Sequence, residues 1–238
     1  MNPRGLFCVI TAMVALVGFP AASLSGGKAM LSDEEKAEGF VLLIDGETAN
    51  GWRGYKSDKF PAKGWEIVDG ALHKIAKAGG GDIITEEQFE NFDFRFEWKV
   101  APGANSGVFF RISEIGERTY DTAIEYQILD NDLHRDGRKE ITSAASNYAL
   151  YPPTEKAVKP VGEYNEGRIV AHGKHVEHWL NGKKVVEYVI DSDDWNERIA
   201  NSKFKDWDHF GKMSKGHIGL QDHGDDVWYR NLRIKKLP

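Results

Sequence analysis

The sequence predicts an all-β protein, a sandwich of two antiparallel sheets preceded by one short helix. Three observations carry this reading. Phe92-Asp93-Phe94-Arg95-Phe96-Glu97-Trp98-Lys99-Val100 alternates strictly, with aromatic side chains and Val100 on one face and charges on the other. Asp69-Gly70 and Asn181-Gly182 sit between alternating runs, the pattern of tight β-hairpins. From Phe40 onward the chain repeats strand, turn, strand, with no internal repeat, low-complexity tract or linker that would split it.

Residues 1–23 read as a secretory signal peptide. Arg4 supplies the positive start, Leu6 to Phe19 is an uncharged apolar run, and Pro20-Ala21-Ala22-Ser23 offers small residues for cleavage. The run is too short to span a bilayer, so the chain is expected to be exported, periplasmic or extracellular, with no membrane attachment after cleavage. The one cysteine, Cys8, lies inside it, so the mature chain has no thiol and no disulfide. Stability must then come from a sizeable core, which roughly 215 residues can supply. Residues 24–39 form a leader and a short helix: Ser32-Asp33-Glu34-Glu35 is a capping box and Gly39 a stop. Residues 40–238 form one domain.

Within that domain the strands follow in order. Phe40 to Ile44 leads into Asp45-Gly46. Trp65 to Val68 and Ala71 to Lys74 flank Asp69-Gly70. The Phe92–Val100 strand is broken by Pro102-Gly103, with Phe94, Phe96 and Trp98 expected in the core and Asp93, Arg95, Glu97 and Lys99 in water. Asn105 to Arg111, Glu125 to Asp130, and the Asn181-Gly182 hairpin come next. Ile218 and Leu220 point into the core from a strand that turns at Asp222 to Asp226, and Val227 to Ile234 closes the fold. Two insertions break the rhythm, residues 131–148 and 191–215. The second carries Trp195, Phe204, Trp207 and Phe210, with a helical turn expected at Trp195 to Ile199 capped by Asp193 or Asp194.

Strand parity groups the candidate site. Asn105, Gly107, Phe109 and Arg111 share a face, as do Glu125, Gln127 and Leu129, and Gly219, Gln221 and His223, with Gly219 expected to leave room for a ligand. If these faces converge, Arg111 offers a fork of donors, Gln221 an amide suited to a sugar diol, and Glu125 and His223 proton transfer. The competing structural reading is an Arg111–Glu125 ion pair. Asp130, His178 and Asp222 complete the candidate binding set.

Several classes are excluded. The net charge is −6 with no basic stripe, so nucleic acid is not the expected partner. There is no HExxH, no GxSxG elbow, no calcium-loop pattern, and Gly79-Gly80-Gly81-Asp82 lacks the Lys-Ser/Thr of a phosphate loop. No cofactor is required by the sequence. A divalent cation is left open by the oxygen-rich Asp130-Asn131-Asp132 and Asp222 to Asp226, as is the oligomeric state.

Taken in order, these blocks resemble the 3-keto-disaccharide hydrolase domain family, of the concanavalin A-like lectin/glucanase jelly-roll superfamily. The resemblance rests on Leu43-Ile44-Asp45-Gly46 with Gly51-Trp52, Gly64-Trp65-Glu66-Ile67-Val68-Asp69-Gly70, Asn105-Ser106-Gly107, Tyr151-Pro152-Pro153, Gly162-Glu163-Tyr164-Asn165 and Gly216 to Gly224. It implies an exported enzyme acting on glycosides already oxidised to a ketone at C3. That ketone acidifies the C2–H, so C2 deprotonation, elimination at C1 and addition of water give net hydrolysis. On this reading Arg111 or a bound cation stands at the ketone oxygen, Glu125 or His223 is the base, and Asn105 and Gln221 position hydroxyls. The alternative is a non-catalytic, lectin-like carbohydrate-binding module on the same fold. A two-carboxylate glucanase ranks lower, because Glu125-Tyr126-Gln127 has an amide where a second acid is needed.

Overall fold

In a computed structural model, residues 28–238 are described. The signal-peptide expectation, with Cys8, and the first part of the leader lie outside the described residues. Thirteen strands follow one another: β1 (Val41–Leu42), β2 (Trp52–Gly54), β3 (Trp65–Val68), β4 (Ala71–Lys74), β5 (Ile83–Phe89), β6 (Phe92–Val100), β7 (Asn105–Ile112), β8 (Ile124–Leu129), β9 (Asn165–His172), β10 (His175–Leu180), β11 (Lys183–Val189), β12 (Gly216–Leu220) and β13 (Val227–Lys236). Two α-helices, α1 (Asp33–Glu38) and α2 (Asp193–Ala200), stand outside the sheets.

The larger sheet runs β11-β10-β9-β6-β13-β4-β3, with β1 paired to β13; the smaller runs β2-β5-β12-β7-β8. All the pairings are antiparallel, so the expected two-sheet sandwich is the fold. Both hairpin turns have positive φ at their two central residues: 50° and 76° at Asp69-Gly70, 49° and 79° at Asn181-Gly182. That is the turn whose twist matches the flanking strands.

The core fills the space between the sheets. Phe94, Phe96 and Trp98 from β6 meet Val108 and Phe110 from β7, Tyr126 and Ile128 from β8, and Ile218 and Leu220 from β12. The Phe96 ring stacks on Phe94 at 5.0 Å and meets Tyr126 edge-on at 5.3 Å. Across β9, Gly167 leaves the room that the Phe96 ring occupies.

The outer face of β6 departs from expectation. Asp93 and Arg95 are buried rather than in water. Asp93 takes a two-pronged ion pair from Arg168, at 2.8 and 2.9 Å, and Phe40 lies 4.4 Å from the Arg95 guanidinium. Helix α1 covers this region: its capping box between Ser32 and Glu35 is formed, Gly39 ends it at φ 88°, and Glu35 pairs with the buried Arg233 of β13. A charged strand face becomes interior when a helix with complementary charge lies on it. Helix α2 starts at Asp193, so both acids expected to cap it, Asp193 and Asp194, lie in its first turn. Its cap is Ser192, whose hydroxyl accepts from the Trp195 N–H at 3.2 Å.

Phe96→Ala removes a fully buried ring from the centre of this core and should cost about 3–5 kcal/mol of stability. Denaturant unfolding of the two proteins checks this.

Candidate active site

The outward face of the smaller sheet carries the site. Asn105, Gly107 and Phe109 of β7, Glu125 and Gln127 of β8 and the end of β12 point away from the core, and the two insertions rise around them. The result is a cavity of about 440 Å³ lined by Asn105, Glu125, Gln127, Gln221, Asp222 and His223 from or beside the strands. Asp82, Tyr120, Asp136, Tyr148, Lys203 and Trp207 come from the loops. Residues 145–148 extend the sheet past β8: Gln127 N–H donates to the Ser146 carbonyl at 3.1 Å, and Tyr148 N–H donates to the Glu125 backbone carbonyl at 3.1 Å. This places the Tyr148 ring beside Glu125.

Glu125 is the distinctive group. Its carboxyl accepts no hydrogen bond from any described residue. Burial, reinforced by the negative charges of Asp82 and Asp136 and opposed by Lys203, pushes its pKa up to about 8. Gly107 on β7 makes the position tenable, because a Cβ there would lie 3.0 Å from both Cγ and Cδ of Glu125 and closer still to a carboxyl oxygen. Beneath the cavity, Ile84, Phe109, Ile112 and Ala123 form a small apolar layer, packed by Tyr55 and Tyr120.

At one side stand the amides. Asn105 Oδ1 and Gln221 Oε1 are buried acceptors with no protein donor. Leaving such atoms unpaired costs about 1–3 kcal/mol each, so the cavity favours a ligand rich in hydroxyl donors. Gln127 Oε1 is already used by the Ile128 N–H at 2.8 Å. The Asn105 Nδ2 lies 3.5 Å from His223 Nε2 and 3.4 Å from His134 Nε2. His223 Nδ1 is 3.6 Å from the Asp225 carboxylate, an ion pair when the ring is protonated.

The far end of the sheet is fastened from behind. Asp222 pairs with Lys74, a fully buried lysine of β4, at 3.0 Å. Its second oxygen accepts the Gly81 N–H at 2.9 Å, and its own N–H donates to Asp82 at 2.8 Å. Asp222 therefore lines the cavity but is spent on holding it together. Burial raises the Asp82 pKa, with the Asp222 charge adding to the rise.

Three expected site residues lie elsewhere. Arg111 is turned away by a bulge: opposite β12, His217 pairs with Ile112 and Gly219 with Phe109, so β7 advances one residue more than its partner. Arg111 takes φ 54° there, and its guanidinium donates to the carbonyls of Glu90 at 3.1 Å and Gly173 at 2.6 Å. It makes no ion pair with Glu125, and desolvation lowers its pKa. His178 is fully buried between the sheets, with Ala145 O at 3.0 Å and the Tyr188 hydroxyl at 3.3 Å; burial lowers its pKa to about 4. The alternation of β10, with Val176, His178 and Leu180 inside, already pointed there. Asp130 caps a turn, accepting from the Gly103, Asp132 and Leu133 N–H groups. Gly219, for its part, makes room for Ile112 Cδ1, which would be 2.5 Å from a Cβ, rather than for a ligand.

The residues that sequence reading missed are Asp82, Asp136, Tyr148 and Lys203, with the Tyr120 and Trp207 rings 5.8 Å apart as a wall. All come from segments without alternation. The aromatic spacing of residues 191–215 was the one signal available. Among the described residues, the cluster with metal-ligand chemistry is His175, Glu177 and Glu187, on the outer face of the larger sheet. Lys184 already pairs with both carboxylates, at 3.2 and 2.7 Å.

The model of the family described as the 3-keto-alpha-glucoside-1,2-lyase-like domain matches residues 39–235. A protein of Bacteroides thetaiotaomicron named 3-keto-disaccharide hydrolase is 38% identical over 231 residues, covering 84% of this chain and 79% of its own length. A crystal structure from Parabacteroides distasonis, described as a candidate glycosyl hydrolase, superposes with a TM-score of 0.81 at 32% identity, over 88% of this chain and 99% of that one. A second from the same organism gives 0.63 at 25% identity, over 83% and 99%.

The raised pKa of Glu125 fixes a sign for stability against pH. The folded state keeps a proton that the unfolded carboxyl, with its value of 4.5, releases earlier. The contribution is full below about 4.5 and is lost as pH rises towards about 8. Glu125→Gln should remove that part of the decline and be relatively more stable at pH 8 and above. Denaturant unfolding across this range, on both proteins, checks it.

Proposed function

The chain belongs to the 3-keto-alpha-glucoside-1,2-lyase-like family, and from that premise we propose that it is an enzyme cleaving glycosides already oxidised at C3. The observation that carries the proposal is Glu125: a carboxyl without a hydrogen-bonding partner, with a pKa near 8, facing a cavity whose amide acceptors lack donors. A group so tuned exchanges protons near neutral pH, which a purely binding surface does not need.

In the proposed course, ionised Glu125 takes the proton from C2. The C–H pair becomes the C2=C3 bond, and the carbonyl pair moves onto the C3 oxygen. The enolate then collapses: C3=O re-forms, C1=C2 forms, and the C1–O bond to the leaving group breaks, its oxygen taking a proton. Water adds across C1=C2, hydroxyl to C1 and hydrogen to C2. His223 is the candidate proton donor, its ring held between Asp225 and Asn105. Asn105 and Gln221 receive substrate hydroxyls, and Tyr120 and Trp207 offer apolar ring faces to the sugar. A glycosidase of the oxocarbenium type needs two carboxyls flanking C1. Here Glu125 is followed on its strand face by an amide, Gln127, and Gly107 of β7 lies against its carboxyl, so the other carboxyls of the cavity, Asp82 and Asp136, come from loops and not from a paired-acid strand. The leader of residues 1–23 fits action outside the cytoplasm.

The purified protein, with and without added divalent metal, should cleave a 3-keto-disaccharide and leave the unoxidised parent intact. If the keto substrate survives while glycan affinity is retained, the lectin-like alternative replaces this reading. Deuterium at C2 should slow cleavage when proton abstraction limits the rate. Glu125→Gln should reduce turnover about 10²–10⁴-fold with little change in binding. Because the ionised form reacts, kcat/KM should rise with pH and level off above about 8.

A further inference from the structure

Charge develops on the C3 oxygen in the proposed course, and the arginine expected to meet it points into the sandwich. Stabilising that charge calls for another cation in the cavity. Among the described residues lining it, two carry a fixed positive side chain, Arg118 and Lys203. Both are exposed at the rim, but the Arg118 guanidinium is already engaged, donating to the Tyr120 hydroxyl at 2.8 Å and lying over the same ring. Lys203 is placed differently.

Lys203 follows α2 on the second insertion. Its ammonium lies 4.2 Å from the centre of the Tyr148 ring, 5.1 Å from Phe204 and 6.0 Å from Trp207. It forms no hydrogen bond and no ion pair with any described residue. The rings hold the charge by their π faces, which occupy none of its three N–H donors. Two carboxylates are near enough to act on the charge electrostatically, Glu125 on β8 and Asp136 on the turn Arg135–Arg138, yet neither closes a contact. Tyr148, from the segment extending the sheet, spends its hydroxyl on Asp136 at 3.3 Å. Lys203 is exposed as a whole, and desolvation, opposed by the charges of Glu125 and Asp136, lowers its pKa.

We propose that Lys203 is a catalytic residue, the electrophile that meets the C3 oxygen of the substrate and stabilises the enolate formed when Glu125 removes the C2 proton. The inference rests on the reading of the preceding subsection. An ammonium with free donors, held by rings on the same wall as the base, satisfies the requirement for a preorganised positive charge where negative charge appears. The ring cage also explains why the cation is not neutralised by Glu125: the aromatic faces fix it without drawing it onto the carboxyl.

The test uses the mature protein and one 3-keto-disaccharide. Lys203→Met and Lys203→Gln should lower kcat about 10²–10³-fold with KM nearly unchanged, since the ketone is neutral in the ground state and charged only later. Lys203→Arg should recover part of the loss. Thermal unfolding should shift little, because Lys203 makes no hydrogen bond or ion pair with a described residue and loses only its contacts with the rings. A second readout is independent of rate: removing the Lys203 charge should move the titration of Glu125 above its value of about 8, followed by carboxyl NMR or the pH limb of kcat/KM. Wild-type cleavage with undiminished kcat in both neutral variants would overturn this assignment and leave the preceding reading standing. A loss confined to KM would overturn it as well, making Lys203 a binding contact. A wild-type protein inert towards the keto substrate would remove both.

Discussion

The site depends on a steric allowance one strand away from the acid it serves. Gly107 has no side chain, so the Glu125 carboxyl can lie across β7 instead of standing up into solvent. Laid down, it loses hydration on one side and gains no donor in return. Two more carboxyls, Asp82 and Asp136, add to the same electrostatic pressure. A single methyl group at position 107 would push the carboxyl outward into water, where its proton affinity would fall to that of an ordinary surface acid. The chemistry of the pocket is thus written partly in a residue that carries none.

Much of the architecture was legible because it obeys the period of a strand. Phe94, Phe96, Trp98, Ile218 and Leu220 are buried as their alternation requires, and the hairpins turn at the Asp-Gly and Asn-Gly pairs. The same rule brought Asn105, Glu125, Gln127 and Gln221 to one face. It failed where the backbone breaks period. One extra residue in β7 rotates Arg111 to the opposite side, and no composition signal announces a bulge at a non-glycine residue. His178 was misread for a different cause: an imidazole suggests function, but its neighbours on β10 alternate in a way that puts it inside. The loop-borne groups Asp82, Asp136, Tyr148 and Lys203 could not be assigned, since an insertion without periodicity says little about where its side chains end.

The two sheets divide the labour. The larger one is closed on its outer face by α1 and by paired charges, Asp93 with Arg168 and Glu35 with Arg233, which satisfy one another and offer little to a ligand. The smaller sheet leaves buried polar atoms unpaired on its outer face, Asn105 Oδ1 and Gln221 Oε1, beside the Glu125 carboxyl. Burial of polar groups without partners is unfavourable for the free protein, and their grouping in one cavity marks where stability has been exchanged for recognition. Between the sheets, the Tyr229 hydroxyl donates to Ser106, which donates to the Gln221 carbonyl, each at 2.7 Å, so the recognition face is braced from the core beneath it.

The fastening of Asp222 bears on how the protein is made. Its N–H reaches Asp82 across 140 residues, and its carboxylate reaches back to Lys74 of β4. During synthesis, Lys74, Asp82 and Glu125 emerge long before the segment that joins them. Until β12 and its following turn arrive and insert between β5 and β7, the smaller sheet has a gap at its centre and its strand edges are unpaired. The nascent chain therefore lacks the centre of the smaller sheet, and its middle portion is most open to misassociation in the interval before β12 is released.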